Sequence, residues 1–378
     1  MARVHITEIL GAFVKRFIAM LATVCVVVTS VISFPTARTA SADDACQNDG
    51  SLCAMLNLLP DLLNDPSGSY DQVYYDNYAE HLRHFGFTAP TSFDDQNWGN
   101  FMTVSFDFAG AGGYLQYIKF WEEQMGYSPF LIDQVLAFQH LPDSITLLRG
   151  RFDRSAIESF WSQSGYMPNS VNGVVIWKLR GDYELNVRDR PLRDFATYNY
   201  AIFVREDVIA YSSTAMGINA TLQAASGLAP TLAANGAIAQ LLAHVPPDLA
   251  SAMIGSGAQF NNSSSWMLFG VTPGVPLRNS LRTGIPVAVP ADTPLKRAYA
   301  ALLYAPGVDL NQTAAAISSG FLSGNSVRTE KPYTDYFQDL NVTVDSQHQV
   351  VAVNFAPRPD YPSVLFTFLR SGGLGFLV

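Results

Sequence analysis

The chain has 378 residues, 48% of them hydrophobic and 12% aromatic, with a formal charge of −9; that is ample material for a packed core and excludes a disordered polymer. Its 32 acidic against 23 basic side chains also exclude the clustered Lys and Arg that a nucleic-acid surface or an anionic-headgroup site requires.

At the start, Arg3, Lys15 and Arg16 precede an 18-residue apolar run at residues 17–34, and Ala40-Ser41-Ala42 then supplies a small-x-small cleavage pattern. This is the layout of an export signal, expected to span residues 1–42. The competing reading is a retained signal anchor, because eighteen apolar residues just span a bilayer; the chain would then attach to a membrane through residues 17–34. Cleavage would remove Arg3, Lys15, Arg16 and Arg38 with Glu8, taking the formal charge from −9 to −12. It would leave two cysteines, Cys46 and Cys53 in CQNDGSLC. In an oxidising compartment these are expected to form a small disulfide loop. The alternative, a metal pair, lacks the nearby histidines that would complete a zinc site.

From Leu52 to Leu63 the sequence reads as a short helix interrupted at Pro60, followed by the turn-rich segment Asp65 to Ser69. Gln72 to Asp76 reads as a strand, Asn77 as a helix cap, Tyr78 to Phe85 as a helix, and Gly86-Phe87 as its ending. A second such ending is Gly126-Tyr127, after a helix expected over Tyr114 to Met125. Ser128-Pro129 then opens a short helix to about Phe138.

The most complete unit runs from Ile145 to Ser213. Ile145 to Phe152 is β-favouring, Asp153 caps a helix, and Ile157, Phe160 and Trp161 at i, i+3 and i+4 share a face that must be buried. Gly165-Tyr166 ends that helix as a third Gly-aromatic pair. Strands follow at Val174 to Leu179 and Tyr200 to Arg205, the latter joined through Glu206-Asp207 to Val208 to Ser212, and a helix lies in Thr214 to Ala225.

Beyond Ala225 the chain becomes Ala-rich, with one helix at Leu232 to His244 stopped by Pro246-Pro247; prolines at 273, 276, 286, 290 and 294 then mark an extended connector. Strands resume at Arg297 to Tyr304, Leu340 to Val344 and Val350 to Phe355, with helices at Leu310 to Leu322 and Val364 to Leu369. The expected fold class is α+β: two similar β-α-β-β(-β)-α halves with mostly antiparallel sheets and helices packed on one face, after the signal segment. The organisation read from the sequence is a signal at 1–42, an N-terminal α+β domain at 43–230, a helical and Pro-rich connector at 231–294, and a C-terminal α+β half at 295–378.

The runs VYYDNYAEHLRHFGF, TLLRGRFDRSAIESFWSQSGY and DVIAYSS resemble those of uncharacterised exported or lipoprotein-like bacterial envelope proteins, over roughly residues 58–227. The resemblance implies an envelope protein. The chain departs from the lipoprotein members in lacking their cysteine signal.

Motifs for chemistry are sparse. The glycines at 110, 112 and 113 mimic a dinucleotide-binding turn, but Leu115 occupies the third small position and no strand-end acid follows. His81 and His84 sit at i and i+3, where zincins need i and i+4, and read as surface histidines. No G-x-S-x-G or S-x-x-K is present. Asp182, Glu184, Asp189 and Asp194 alternate with Arg180, Arg188, Arg190 and Arg193, as in a solvated, self-neutralising loop, with a calcium or partner site as the alternative. The tyrosines at 70, 74, 75, 78, 114 and 117, with Phe120 and Trp121, read as core before groove. No catalytic, cofactor-binding or metal-ligating residue is singled out and no cofactor is implied. The expected function is that of an extracytoplasmic, non-catalytic binding or structural protein, its partner an unknown ligand or envelope protein and not nucleic acid. The alternative is an extracytoplasmic hydrolase whose site is assembled from distant residues.

Overall fold

A computed structural model of the chain describes residues 51–62, 71–84, 86–98, 118–140, 143–171, 173–185, 196–260, 262–273, 296–326, 329–358 and 374–377. All of them fall in the compact unit spanning residues 42–378. The signal segment, Cys46, the glycines at 110–113, most of the Pro-rich connector, Asp189, Asp194 and the helix expected at 364–369 lie outside the described residues.

Twelve strands among the described residues form one sheet. They are β1 (Gln72–Asn77), β2 (Ile132–His140), β3 (Asp143–Gly150), β4 (Met167–Val171), β5 (Val174–Lys178), β6 (Tyr200–Arg205), β7 (Val208–Ser212), β8 (Ser251–Ser256), β9 (Trp266–Val271), β10 (Ala298–Leu303), β11 (Phe337–Asp345) and β12 (Val350–Pro357). Their order is β11-β12-β10-β9-β8-β1-β2-β3-β7-β6-β5-β4, and each neighbouring pair is antiparallel. The α-helices among the described residues are α1 (Leu52–Leu56), α2 (Tyr78–His84), α3 (Ile118–Met125), α4 (Arg154–Gln163), α5 (Ala215–Ala225), α6 (Gly236–Leu242) and α7 (Leu310–Ser323).

The expected class, α+β with antiparallel sheet, is what the chain adopts. The expectation that helices pack on one face is corrected: both faces are covered. On one face α1, α5 and α6 bury Leu56, Ile218, Ile238 and Leu241 against Tyr75, Leu147, Ile202, Ile254 and Leu268 from both parts of the sheet. On the other, α2, α3 and α4 cover the strands of the N-terminal part with Tyr78, Trp121 and Trp161, while α7 covers those of the C-terminal part with Ile317 and Phe321. The cause lies in the strands: every residue of β7, β8 and β9 is buried, so each presents apolar side chains both ways and needs two layers over it.

Two further expectations change. Ser128-Pro129 does open a turn of helix, but it ends at Leu131, and Ile132–His140 is β2. Ile132, Val135 and Leu136 imitate a helical stripe, yet as strand residues they serve opposite faces, Ile132 and Val135 one layer and Leu136 the other. Residues 231–294, read as a connector, contain β8 and β9, which lie at the middle of the sheet. Ser251-Ala-Met-Ile-Gly-Ser is small and weakly β-favouring. The small side chains allow close packing: a Cβ on Gly270 of β9 would lie 2.6 Å from a Leu249 methyl.

The capping signals act as expected. Asp153 accepts the Ala156 N–H at the start of α4, and Asn77 accepts the Glu80 N–H at the start of α2. Thr214, read as part of its helix, instead caps α5 by accepting the Gly217 N–H. At the end of α4, Gly165 takes a φ of +95° and Tyr166 folds its ring back to 5.8 Å from that of Trp161. Trp161 is fully buried.

Candidate functional site

Near the centre of the sheet β1 pairs with β8, and there Asp76 stands opposite Ser251. Ser251 Oγ donates to Asp76 Oδ1 at 2.6 Å, and His81 Nε2 lies 3.1 Å from the same Oγ. His81 is brought in because Asn77 caps α2 directly after β1, which turns the first helical turn back over the sheet. The expectation that His81 is a surface residue is therefore corrected: it is buried together with Asp76 and Ser251. His84, at i+3, is half-buried.

Ser, His and Asp in contact invite comparison with a nucleophilic triad, but the proton order is different. The Ser251 hydroxyl donates to Asp76, so its proton is directed away from the His81 ring and its oxygen is left as the acceptor on that side. A nucleophile needs the reverse, its proton directed at the imidazole and the carboxylate behind the imidazole. The chain Asp76, Ser251, His81 is a sealed polar link between strands and a helix.

The described part of the acidic loop is a folded cap on the sheet's end. Asp182 Oδ1 accepts the Tyr200 hydroxyl at 2.6 Å and the Ala215 N–H at 3.1 Å, and Glu184 Oε2 accepts the Gly181 N–H. Buried Asp143 accepts the hydroxyls of Thr214 and Tyr183. Asp182 and Glu184 are exposed, as expected of a solvated loop, and Arg188, Arg190 and Arg193 lie outside the described residues.

A third cluster is open to solvent. His244, just beyond α6, and the turn between β11 and β12 meet so that His244 Nε2 lies 3.1 Å and His348 Nδ1 2.7 Å from the same atom, Asp345 Oδ2. The other carboxylate oxygen, Oδ1, accepts the N–H groups of Gln347 and His348 and so fixes the turn. The His348 side chain and then its backbone N–H hold the Asp345 carboxyl well below the usual carboxylate range. His244 Nδ1 is 2.7 Å from the Gln240 carbonyl, which only accepts, so Nδ1 carries a proton and the ring is oriented with Nε2 toward Asp345. One ligand atom from each of the three residues falls within 4.8 Å of the others. Residues 244 and 348 lie 104 positions apart in the sequence, and no local motif joins them.

Comparison with protein-family models, with curated proteins and with solved structures returns no match. Among the described residues no helix is long and apolar enough to cross a membrane.

Proposed function

We propose that this chain is an extracytoplasmic protein of the cell envelope that binds or builds structure and does not catalyse. The observation that carries the non-catalytic half of this reading is the Asp76–Ser251–His81 link: Ser251 has no exposed surface, and its proton is committed to Asp76. The export half rests on the basic start, the apolar run and Ala40-Ser41-Ala42. Resemblance to exported bacterial envelope proteins supports the same compartment, and Cys46 is read as bonded to Cys53, which is buried against the α1 side of the sheet.

The reading includes two similar halves meeting at the β1–β8 pair. Outward from that pair the order is β1-β2-β3-β7-β6 in one direction and β8-β9-β10-β12-β11 in the other. In each direction a helix, α4 or α7, follows the third strand in sequence, and the next-but-one strand returns beside it, with the β4–β5 hairpin as an addition to the first half.

A fluorophosphonate probe tests the catalytic question. Folded protein is expected to remain unlabelled, and labelling of Ser251 would establish the hydrolase reading instead. Intact mass of the protein from its native host tests export. A mature N-terminus at Asp43 supports it, and recovery of Met1 in the membrane fraction makes residues 17–34 an anchor.

A further inference from the structure

We propose that His244, Asp345 and His348 form a binding site for a divalent first-row transition-metal cation, with zinc the best fit. The site goes beyond the envelope reading and does not depend on it.

The donor set selects the ion. Two imidazole nitrogens and one carboxylate oxygen suit zinc and its neighbours, whereas calcium and magnesium require shells of oxygen and copper(I) prefers sulfur. Three protein ligands leave a fourth tetrahedral position for water or an external ligand. The side chains of His244, Asp345 and His348 are 17%, 31% and 46% exposed, so a cation can reach them from solvent.

The surroundings orient the ligands. The Gln240 carbonyl holds His244 Nδ1, leaving Nε2 as the donor atom; a backbone carbonyl behind a ligating histidine is the usual outer support of a metal site. Asp345 is divided between two tasks, Oδ1 holding the turn and Oδ2 facing both rings. Around a tetrahedral zinc at about 2.0–2.2 Å, ligand atoms stand roughly 3.3–3.6 Å apart. The 3.1 Å separation of His244 Nε2 from Oδ2 nearly meets that spacing. The 2.7 Å separation of His348 Nδ1 from Oδ2 must open by about 0.6–0.9 Å to reach it, and the exposed turn carrying His348 is the part able to give. The formal charge of −9 favours a cation at long range.

The competing description is a plain hydrogen-bonded clasp that pins the β11–β12 turn to α6. Tag-free protein, stripped with a chelator and titrated with zinc alone, separates the two. The expected result is one zinc per chain at micromolar concentration. Replacing zinc with cobalt(II) should give the intense visible bands of a four-coordinate nitrogen and oxygen site. Asp345→Asn keeps an Oδ1 acceptor for the turn, and His348→Ala changes an exposed side chain, so both variants should fold. Each is expected to weaken zinc binding at least about tenfold, the lower end of what disturbing a metal site costs, and to abolish the cobalt bands. Zinc affinity within twofold of the parent in both variants, or no stoichiometric binding at micromolar zinc, overturns the proposal and leaves the clasp.

Discussion

One face of the sheet is covered by two aromatic layers of different chemistry. The layer over the N-terminal strands is built from Tyr and Trp, including Tyr78, Trp121, Tyr127, Trp161, Tyr166, Trp177, Tyr198 and Tyr211. The layer over the C-terminal strands centres on Phe269, Phe321, Phe337, Phe355 and Phe376. Both fill a similar space between sheet and helix with edge-on ring contacts, such as Tyr198 with Tyr211 at 5.2 Å and Phe337 with Phe355 at 5.1 Å. The difference is one of degree: the first layer carries five tyrosine hydroxyls and three indoles into the interior, the second only the hydroxyls of Tyr304, Tyr333 and Tyr336, and each buried polar atom must find a partner or cost stability. Tyr127 and Tyr211 pair their hydroxyls at 3.0 Å, and Tyr166 donates to the Tyr198 carbonyl. The indole nitrogens of Trp161 and Trp177 are buried without a hydrogen-bond partner among the described residues. Similar scaffolding thus admits two solutions, one of which carries more titratable, partner-dependent side chains inside.

The sharpest way to break this comparison is to open a cavity in each layer. Trp161 sits within 6.1 Å, centroid to centroid, of Tyr166, Trp177, Phe203 and Tyr211, and Phe337 has a similar place among Phe355 and Phe376. Trp161→Ala and Phe337→Ala should each cost about 3–5 kcal/mol, a large share of a typical stability of roughly 5–15 kcal/mol. Because one sheet runs through both layers, thermal unfolding of either variant should show a single lowered transition. Two separated transitions would show that the layers melt independently.

The second effect is pH-dependent. Burial pushes the hydroxyls of Tyr198 and Tyr211 well above their ordinary range, and raises that of Tyr304 in the other layer to about 12. The unfolded chain releases these protons near pH 10 while the folded chain holds them. The stability they contribute is therefore intact below pH 10 and falls as pH rises above it, by about 1.4 kcal/mol per pH unit for each such tyrosine. Alkaline titration followed by tyrosinate absorbance and circular dichroism should show Tyr198 and Tyr211 ionising together with unfolding. Ionisation of all buried tyrosines in a protein that keeps its native circular dichroism would contradict the burial of this layer.

The central link comes next. Ser251→Ala removes the donor to Asp76 in a fully buried setting, at an expected cost of about 1–3 kcal/mol. Urea denaturation with an unchanged midpoint would mean that the link adds nothing to the β1–β8 pairing.

How much of this was legible in the sequence depends on how local the cause is. Asp153 and Asn77 act on N–H groups three residues away, and Gly165-Tyr166 acts on the helix just before it, so these element ends could be read directly. β2, β8 and β9 could not, because a strand buried on both faces loses the two-residue alternation that identifies strands, and Ser251 to Ser256 has few β-favouring side chains. β4 was missed for the opposite reason: Met167–Val171 is almost wholly exposed and contains Pro168. The His244, Asp345 and His348 cluster depends on strand register and on where α6 ends. The only local trace was an Asp and a His three apart in a hairpin turn, which by itself is an ordinary turn.

The smallest effect separates the two layers most directly. Tyr127→Phe deletes one hydroxyl of the buried pair with Tyr211 while keeping the ring that packs against Trp121 and Phe152. The lost hydrogen bond should cost about 0.5–1.5 kcal/mol, and the Tyr211 hydroxyl, left without that partner in a fully buried position, places the result toward the upper end. The double variant Tyr127→Phe/Tyr211→Phe removes both polar atoms and makes this part of the layer resemble its phenylalanine counterpart. Since replacing both partners of a buried hydrogen bond by apolar groups of the same shape is nearly neutral, the double variant should recover most of the loss. Recovery measured by urea denaturation would show that the tyrosine layer is held by satisfied hydroxyls on an otherwise interchangeable aromatic frame; a double variant as unstable as the two single losses added together would show that the two hydroxyls are not coupled and that their hydrogen bond contributes nothing to the layer.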